Sequence, residues 1–117
     1  MLLYLVRHGE SLFNAERRIQ GQSDVELSPL GHRQSDAVAA ELANLPINAI
    51  FASPLRRAME TAEPIAARIK LSIQTDDRLK EINAGMFQGL KWDEIEHLHP
   101  AEAVRWKAQE ADFIIPG

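Results

Sequence analysis

Three short runs in this chain carry side chains that could act together on a small anion. Arg7-His8-Gly9-Glu10 follows directly on the apolar residues 2–6. A strand over 2–6 would hold His8 rigidly at its carboxyl end, and Gly9 would let the backbone come close to a ligand. The plain alternative is a surface turn that happens to carry charge. Ser53-Pro54-Leu55-Arg56-Arg57 follows a second apolar run and opens a helical pattern. The N–H groups and dipole at a helix start favour an anion, and Arg56 in the first turn can add a bidentate guanidinium contact. Here the alternative is an ordinary capped helix with solvated arginines. Glu81, in Leu79-Lys80-Glu81-Ile82, could serve as general acid and base if it lies beside a histidine and arginines.

The elements around these runs follow from apolar spacing. Residues 2–6 form a near-continuous apolar run, of the kind buried on both faces of a parallel sheet. Residues 49–52 predict a second strand, and the alternating residues 71–75 a weaker third. Between strands one and two, Ser28 is placed to cap a helix with Pro29 in its first turn; Val38, Leu42 and Leu45 recur at helical spacing until Pro46. A second helix opens at Ser53 and Pro54, with Leu55, Met59, Ala62, Ala66 and Ile69 as its apolar stripe. Pro64 is expected to kink or split it. Strand, helix, strand, helix, strand reads as an α/β domain with a parallel sheet. Further on, residues 92–98 and 101–111 predict two short helices broken at Pro100, and 114–117 read as loop. The connection from strand one to Ser28 runs to about twenty residues where about two to six are usual. It is polar, with room for a short helical turn, and lies where α/β proteins bind ligands.

Composition sets the bounds. The chain has 117 residues, 45% hydrophobic and 26% charged, which is room for one ordinary soluble domain. No apolar run reaches bilayer length, and residues 1–6 are too short for a signal-peptide core. There is no cysteine, hence no disulfide and no cysteine-based zinc site. These features predict a cytoplasmic protein. A net charge of −4 argues against nucleic acid or an anionic membrane as the main partner, while a few local arginines could still hold a small anion.

The run Leu5-Val6-Arg7-His8-Gly9-Glu10-Ser11 resembles the signature of the histidine phosphatase superfamily, which includes the cofactor-dependent phosphoglycerate mutases. Asn14, Arg18-Ile19-Gln20-Gly21 and Asp24 are similar to its following loop, and Leu27 to Gln34 to its first helix start. Ser53 to Ala62 resembles its second arginine motif and Leu79 to Gly89 its acid motif, all in family order. The resemblance implies a three-layer αβα domain of the phosphoglycerate mutase type with a mainly parallel sheet. It implies that His8 is the nucleophile that becomes phosphohistidine and that Arg7 and Arg56 grip the phosphoryl oxygens. Glu81 would protonate the leaving oxygen and then take a proton from water, while Asn14, Gln20 and Gly21 would line the phosphate pocket. Neutral imidazole is a good nucleophile near neutral pH. Phosphoryl transfer is mostly positioning and charge clamping, so arginines can supply the charge and neither metal nor cofactor is implied.

The family's pocket also has a second histidine, in a later strand ending in His-Gly. His32, His97 and His99 do not stand in that context. Residues 1–117 are therefore expected to be the N-terminal portion of a single family domain. The turn Gln20-Gly21-Gln22 and the acid motif, with no arginine pair after Gly89, resemble the phosphatase branch. The expected function is phosphomonoester hydrolysis on a small phosphorylated metabolite. The alternatives are a phosphoglycerate mutase and an inactive phosphate-binding fragment lacking the second histidine. An unpaired edge along residues 2–6 further predicts self-association.

Overall fold

The computed structural model describes residues 1–117, which divide into two compact units. The first comprises Met1–Leu12 and Asp24–Lys80, the second Phe13–Ser23 and Glu81–Gly117. No helix is long and apolar enough to cross a membrane.

In the first unit, strands β1 (Ile50–Ala52) and β2 (Ile73–Thr75) pair in parallel, with Ile50 opposite Ile73 and Ala52 opposite Thr75. The chain between them is a helix, which sits two strands side by side in the same direction, as the sequence pattern predicts. The helix preceding β1, α2 (Pro29–Leu42), starts where expected. Ser28 caps it, its hydroxyl accepting from Gly31 N–H, with Pro29 in the first turn. It ends three residues before Leu45, in a turn in which Leu45 N–H donates to the Leu42 carbonyl. The crossover helix α3 (Arg56–Ile69) runs on through Pro64, so of the expected kink or split the split does not occur. Proline removes one N–H from the ladder, and here the buried residues Thr61, Ala62 and Ile65 bracket it on the packed face. That face also differs from the apolar stripe read from the sequence, since Arg57 and Thr61 are on it. Ser53 does not cap α3; its hydroxyl accepts from Leu55 N–H in the turn before.

Residues 2–6 form no strand. They join no ladder and are exposed, Leu2 by 73% and Leu5 by 87%. A strand exists only by pairing, and the sheet here consists of β1 and β2 alone, with residues 2–6 paired to neither edge, so this run stays outside any ladder.

The second unit is built on helices. The segment contributed by α1 (Leu12–Ala15), the helical turn expected within the long polar connection, leads to Arg18, which bridges to Lys91. Helices α4 (Trp92–Leu98) and α5 (Pro100–Lys107) follow, with Pro100 in the first turn of α5, a position proline tolerates because that N–H has no helical partner. Their core is Ala84, Phe87, Ile95, Ala103 and Ile115, with Ile19, Leu90 and Trp92 against it. Trp92 and Trp106 both meet the Phe87 ring edge to face, at 6.3 and 6.4 Å between centroids. Lys107 pairs with Glu96 across the two helices and holds that carboxyl below the usual range.

Candidate active site

Within the first unit the Arg7–Glu10 run is fixed by backbone contact with the start of α2. Ser11 bridges Leu27 antiparallel, Leu12 N–H donates to the Glu26 carbonyl at 3.1 Å, and Ser28 N–H to the Glu10 carbonyl at 2.8 Å. Gly9 and Gly31 lie backbone to backbone: a Cβ on Gly9 would stand 2.5 Å from the Gly31 oxygen, and one on Gly31 only 2.0 Å from the Glu10 oxygen. Gly9 thus serves close approach, as its position suggested, but to α2.

Arg7 and His8 line one hollow of about 230 Å³ with Gly9, Gln34, Ser35, Val38 and Thr61. Arg7 is exposed and makes no salt bridge. His8 is partly buried, and its Nδ1 lies 2.7 Å from the Gly9 carbonyl oxygen. A carbonyl can only accept, so Nδ1 carries the proton, and in the neutral ring the lone pair sits on Nε2. That is the nitrogen a nucleophilic role would use.

The two arginines that open α3 have different surroundings. Arg56 is half exposed. Its guanidinium pairs with Glu26 at 2.6 Å and Glu60 at 3.4 Å, and the Arg56 backbone N–H donates to Asp24 Oδ1 at 2.6 Å. Glu60 also accepts from Leu27 N–H at 2.9 Å. Arg56 therefore fastens α3 to residues 24–27. Arg57, which the sequence reading passed over, is only 2% exposed. Its carbonyl accepts from the Thr61 hydroxyl at 2.7 Å, and that hydroxyl accepts Gly9 N–H at 3.0 Å. The signal for it was available: Arg57, Thr61 and Ile65 recur every four residues, while Arg56 and Glu60 form an i,i+4 ion pair.

Asn14, Gln20, Gly21 and Glu81 belong to the second unit, and all but Asn14 meet in its loops. The Gln20–Ser23 turn closes by Ser23 N–H on the Gln20 carbonyl at 2.9 Å. Gly21 has a φ of +52°, and a Cβ there would lie 2.6 Å from Ala84, so glycine is required on both counts. The next residue ties this turn to the acid motif. Gln22 N–H donates to Gln88 Oε1 at 2.9 Å, and Gln22 Nε2 to the Glu81 carbonyl at 2.9 Å. The Glu81 side chain is exposed and accepts Ile82 N–H at 2.9 Å. Asn14 lies in α1. The structure thus assembles two groups: Arg7 and His8 around one hollow, and the Gln20–Gly21 turn stitched to Glu81.

Comparison with known proteins gives this arrangement a family. Phosphoglycerate mutase-like protein 4 of Arabidopsis thaliana is 41% identical over 98% of this chain and 51% of its own length. Probable phosphoglycerate mutase GpmB of Yersinia pestis is 45% identical over 92% of this chain and 48% of its own. The chain thus spans about half the length of these curated relatives. Among solved structures, the mycobacterial glucosyl-3-phosphoglycerate phosphatase superposes with a TM-score of 0.80 at 37% identity, over 93% of this chain and 50% of that one. The phosphoserine phosphatase of Entamoeba histolytica, solved with 3-phosphoglyceric acid, gives 0.80 at 29%, over 94% and 53%. The family model of the histidine phosphatase superfamily, branch 1, matches residues 3–117, which takes in every site run named above. With its parallel α/β pair, its Arg-His run against the helix start and its acid motif in order, the chain belongs to the histidine phosphatase superfamily.

Proposed function

We propose that this protein hydrolyses phosphomonoesters through a phosphohistidine on His8. The observation that carries the reading is the His8–Gly9 hydrogen bond beside Arg7 on one hollow, which leaves the imidazole with its lone pair on Nε2. In the proposed step Nε2 attacks phosphorus and the ester P–O bond breaks. Glu81 gives its proton to the leaving oxygen, then accepts one from the water that attacks phosphorus as the P–Nε2 bond breaks, which releases phosphate and returns the lone pair to Nε2. Arg7 neutralises the phosphoryl oxygens. Of the two arginines opening α3, Arg57 is the better second clamp, because it lies on the buried face of α3 whose Thr61 hydroxyl accepts Gly9 N–H next to His8, whereas Arg56 is turned to Glu26 and Glu60. Asn14, Gln20 and Gly21 complete the phosphate pocket in this reading. The names of the solved relatives support small phosphorylated metabolites as the substrate class. The reading includes a cytoplasmic setting, and takes residues 1–117 as the N-terminal portion of the family domain, supported by the half-length match.

The names of the curated relatives favour a second reading, a phosphoglycerate mutase. Two assays separate the readings: release of phosphate from p-nitrophenyl phosphate, and isomerisation of 3-phosphoglycerate. Hydrolysis without isomerisation is expected. Incubation with labelled substrate and an alkaline detergent quench should leave base-stable label that acid removes and that His8→Ala abolishes. Label on serine, or undiminished turnover in His8→Ala, overturns the reading. Phosphate binding with no label and no turnover would identify an inactive binding fragment.

A further inference from the structure

We infer that Gln34 is a positioning residue for His8, acting through the single peptide group that joins Gly9 to Glu10. The inference rests on the reading of His8 as the nucleophile. The Gly9 carbonyl and the Glu10 N–H belong to one planar unit, so whatever fixes one end fixes the other. At one end, the oxygen accepts the His8 Nδ1 proton at 2.7 Å. At the other, Glu10 N–H donates to Gln34 Oε1 at 2.8 Å. A hydrogen bond at the N–H end polarises the amide and makes its oxygen a better acceptor. Gln34 therefore both orients the carbonyl that selects the His8 tautomer and strengthens its hold on the Nδ1 proton.

The peptide unit before it is held independently. Gly9 N–H donates to the buried Thr61 hydroxyl at 3.0 Å, whose own proton goes to the Arg57 carbonyl. Rotation of either plane next to Gly9 thus breaks a hydrogen bond to a different helix: α2 through Gln34, α3 through Thr61. Gln34 borders the same hollow as Arg7 and His8. It is exposed on α2, so packing does not demand glutamine there, and alanine would serve the helix as well.

The test reads the tautomer directly. The full chain is labelled with [15N]histidine and His8 assigned by the resonances lost in His8→Gln. 15N spectra, in solution for dissolved protein and in the solid state for sedimented protein, are recorded above the imidazole titration. The wild type should show a protonated Nδ1 and a lone-pair Nε2. Gln34→Ala should bring up a population with the proton on Nε2, and slow single-turnover loading of His8 by about 10-fold, in the range found for partners that fix an imidazole. Gln34→Glu, which still accepts the same N–H, should restore the wild-type tautomer. A merely structural role would lower stability in Gln34→Ala and leave the tautomer alone; that result overturns the inference. The spectra need no substrate. Absence of phosphohistidine in the wild type would therefore count against the hydrolase reading only, not against the role of Gln34 in setting the tautomer.

Discussion

The two adjacent arginines at the start of α3 show what a motif conveys and what it conceals. Their place after a β-strand and before a helix is legible in the sequence, as is His8 after an apolar run. Which of the two faces inward is decided by helical phase. Arg57 falls on the packed face with Thr61 and Ile65, while Arg56 is turned toward Glu60 and Glu26. An apolar stripe alone misplaces this face, because its buried members include a guanidinium and a hydroxyl. The difference has a measurable outcome. Arg57→Ala should lower kcat/KM on p-nitrophenyl phosphate by about 10³, the lower end of what one arginine supplies in phosphoryl transfer. Arg56→Ala, which loses exposed ion pairs, should lower stability by about 1 kcal/mol or less and turnover by far less than Arg57→Ala. Steady-state kinetics with a denaturation curve for each variant checks both, and equal catalytic losses would contradict the assignment.

At the scale of elements, local signals and pairing signals fared differently. Helix α2 was legible because a cap and a proline act within one turn: the Ser28 hydroxyl accepts from Gly31 N–H and donates to Glu10 Oε1 at 2.7 Å. Helices α4 and α5 were legible for the same reason, with Pro100 starting one rather than merely ending the other. The strand expected over residues 2–6 was not realised, since a ladder depends on residues far away in the chain and no apolar pattern can supply them. Pro64 does not split α3, because burial of Ala62 and Ile65 outweighs one missing hydrogen bond. Ser28 joins cap and loop in one hydroxyl, so Ser28→Ala should cost about 1–2 kcal/mol. Urea denaturation would read this as a lower midpoint at unchanged slope. Ser28→Thr should recover most of it.

For the molecule as a whole, the family was legible from five runs in order, and the division into two units was not, because segments distant in sequence build each unit. The exposed apolar residues 2–6 carry the expected consequence for association: unpaired backbone and bare leucines invite another chain. The chain should elute from size exclusion above its monomer mass, and Leu3→Lys with Leu5→Lys should shift it toward monomer. A monodisperse wild-type monomer would contradict this. The way the units interleave also sets an order of events during synthesis. Phe13–Ser23 leaves the ribosome early, yet the core that Ile19 packs on and the Ala84 backbone that Gly21 lies against emerge only much later, in the stretch Glu81–Gly117. Until then the nascent chain carries Phe13–Ser23 as a loop between the two pieces of the first unit, so the first unit can close on itself while the second still waits for its larger part.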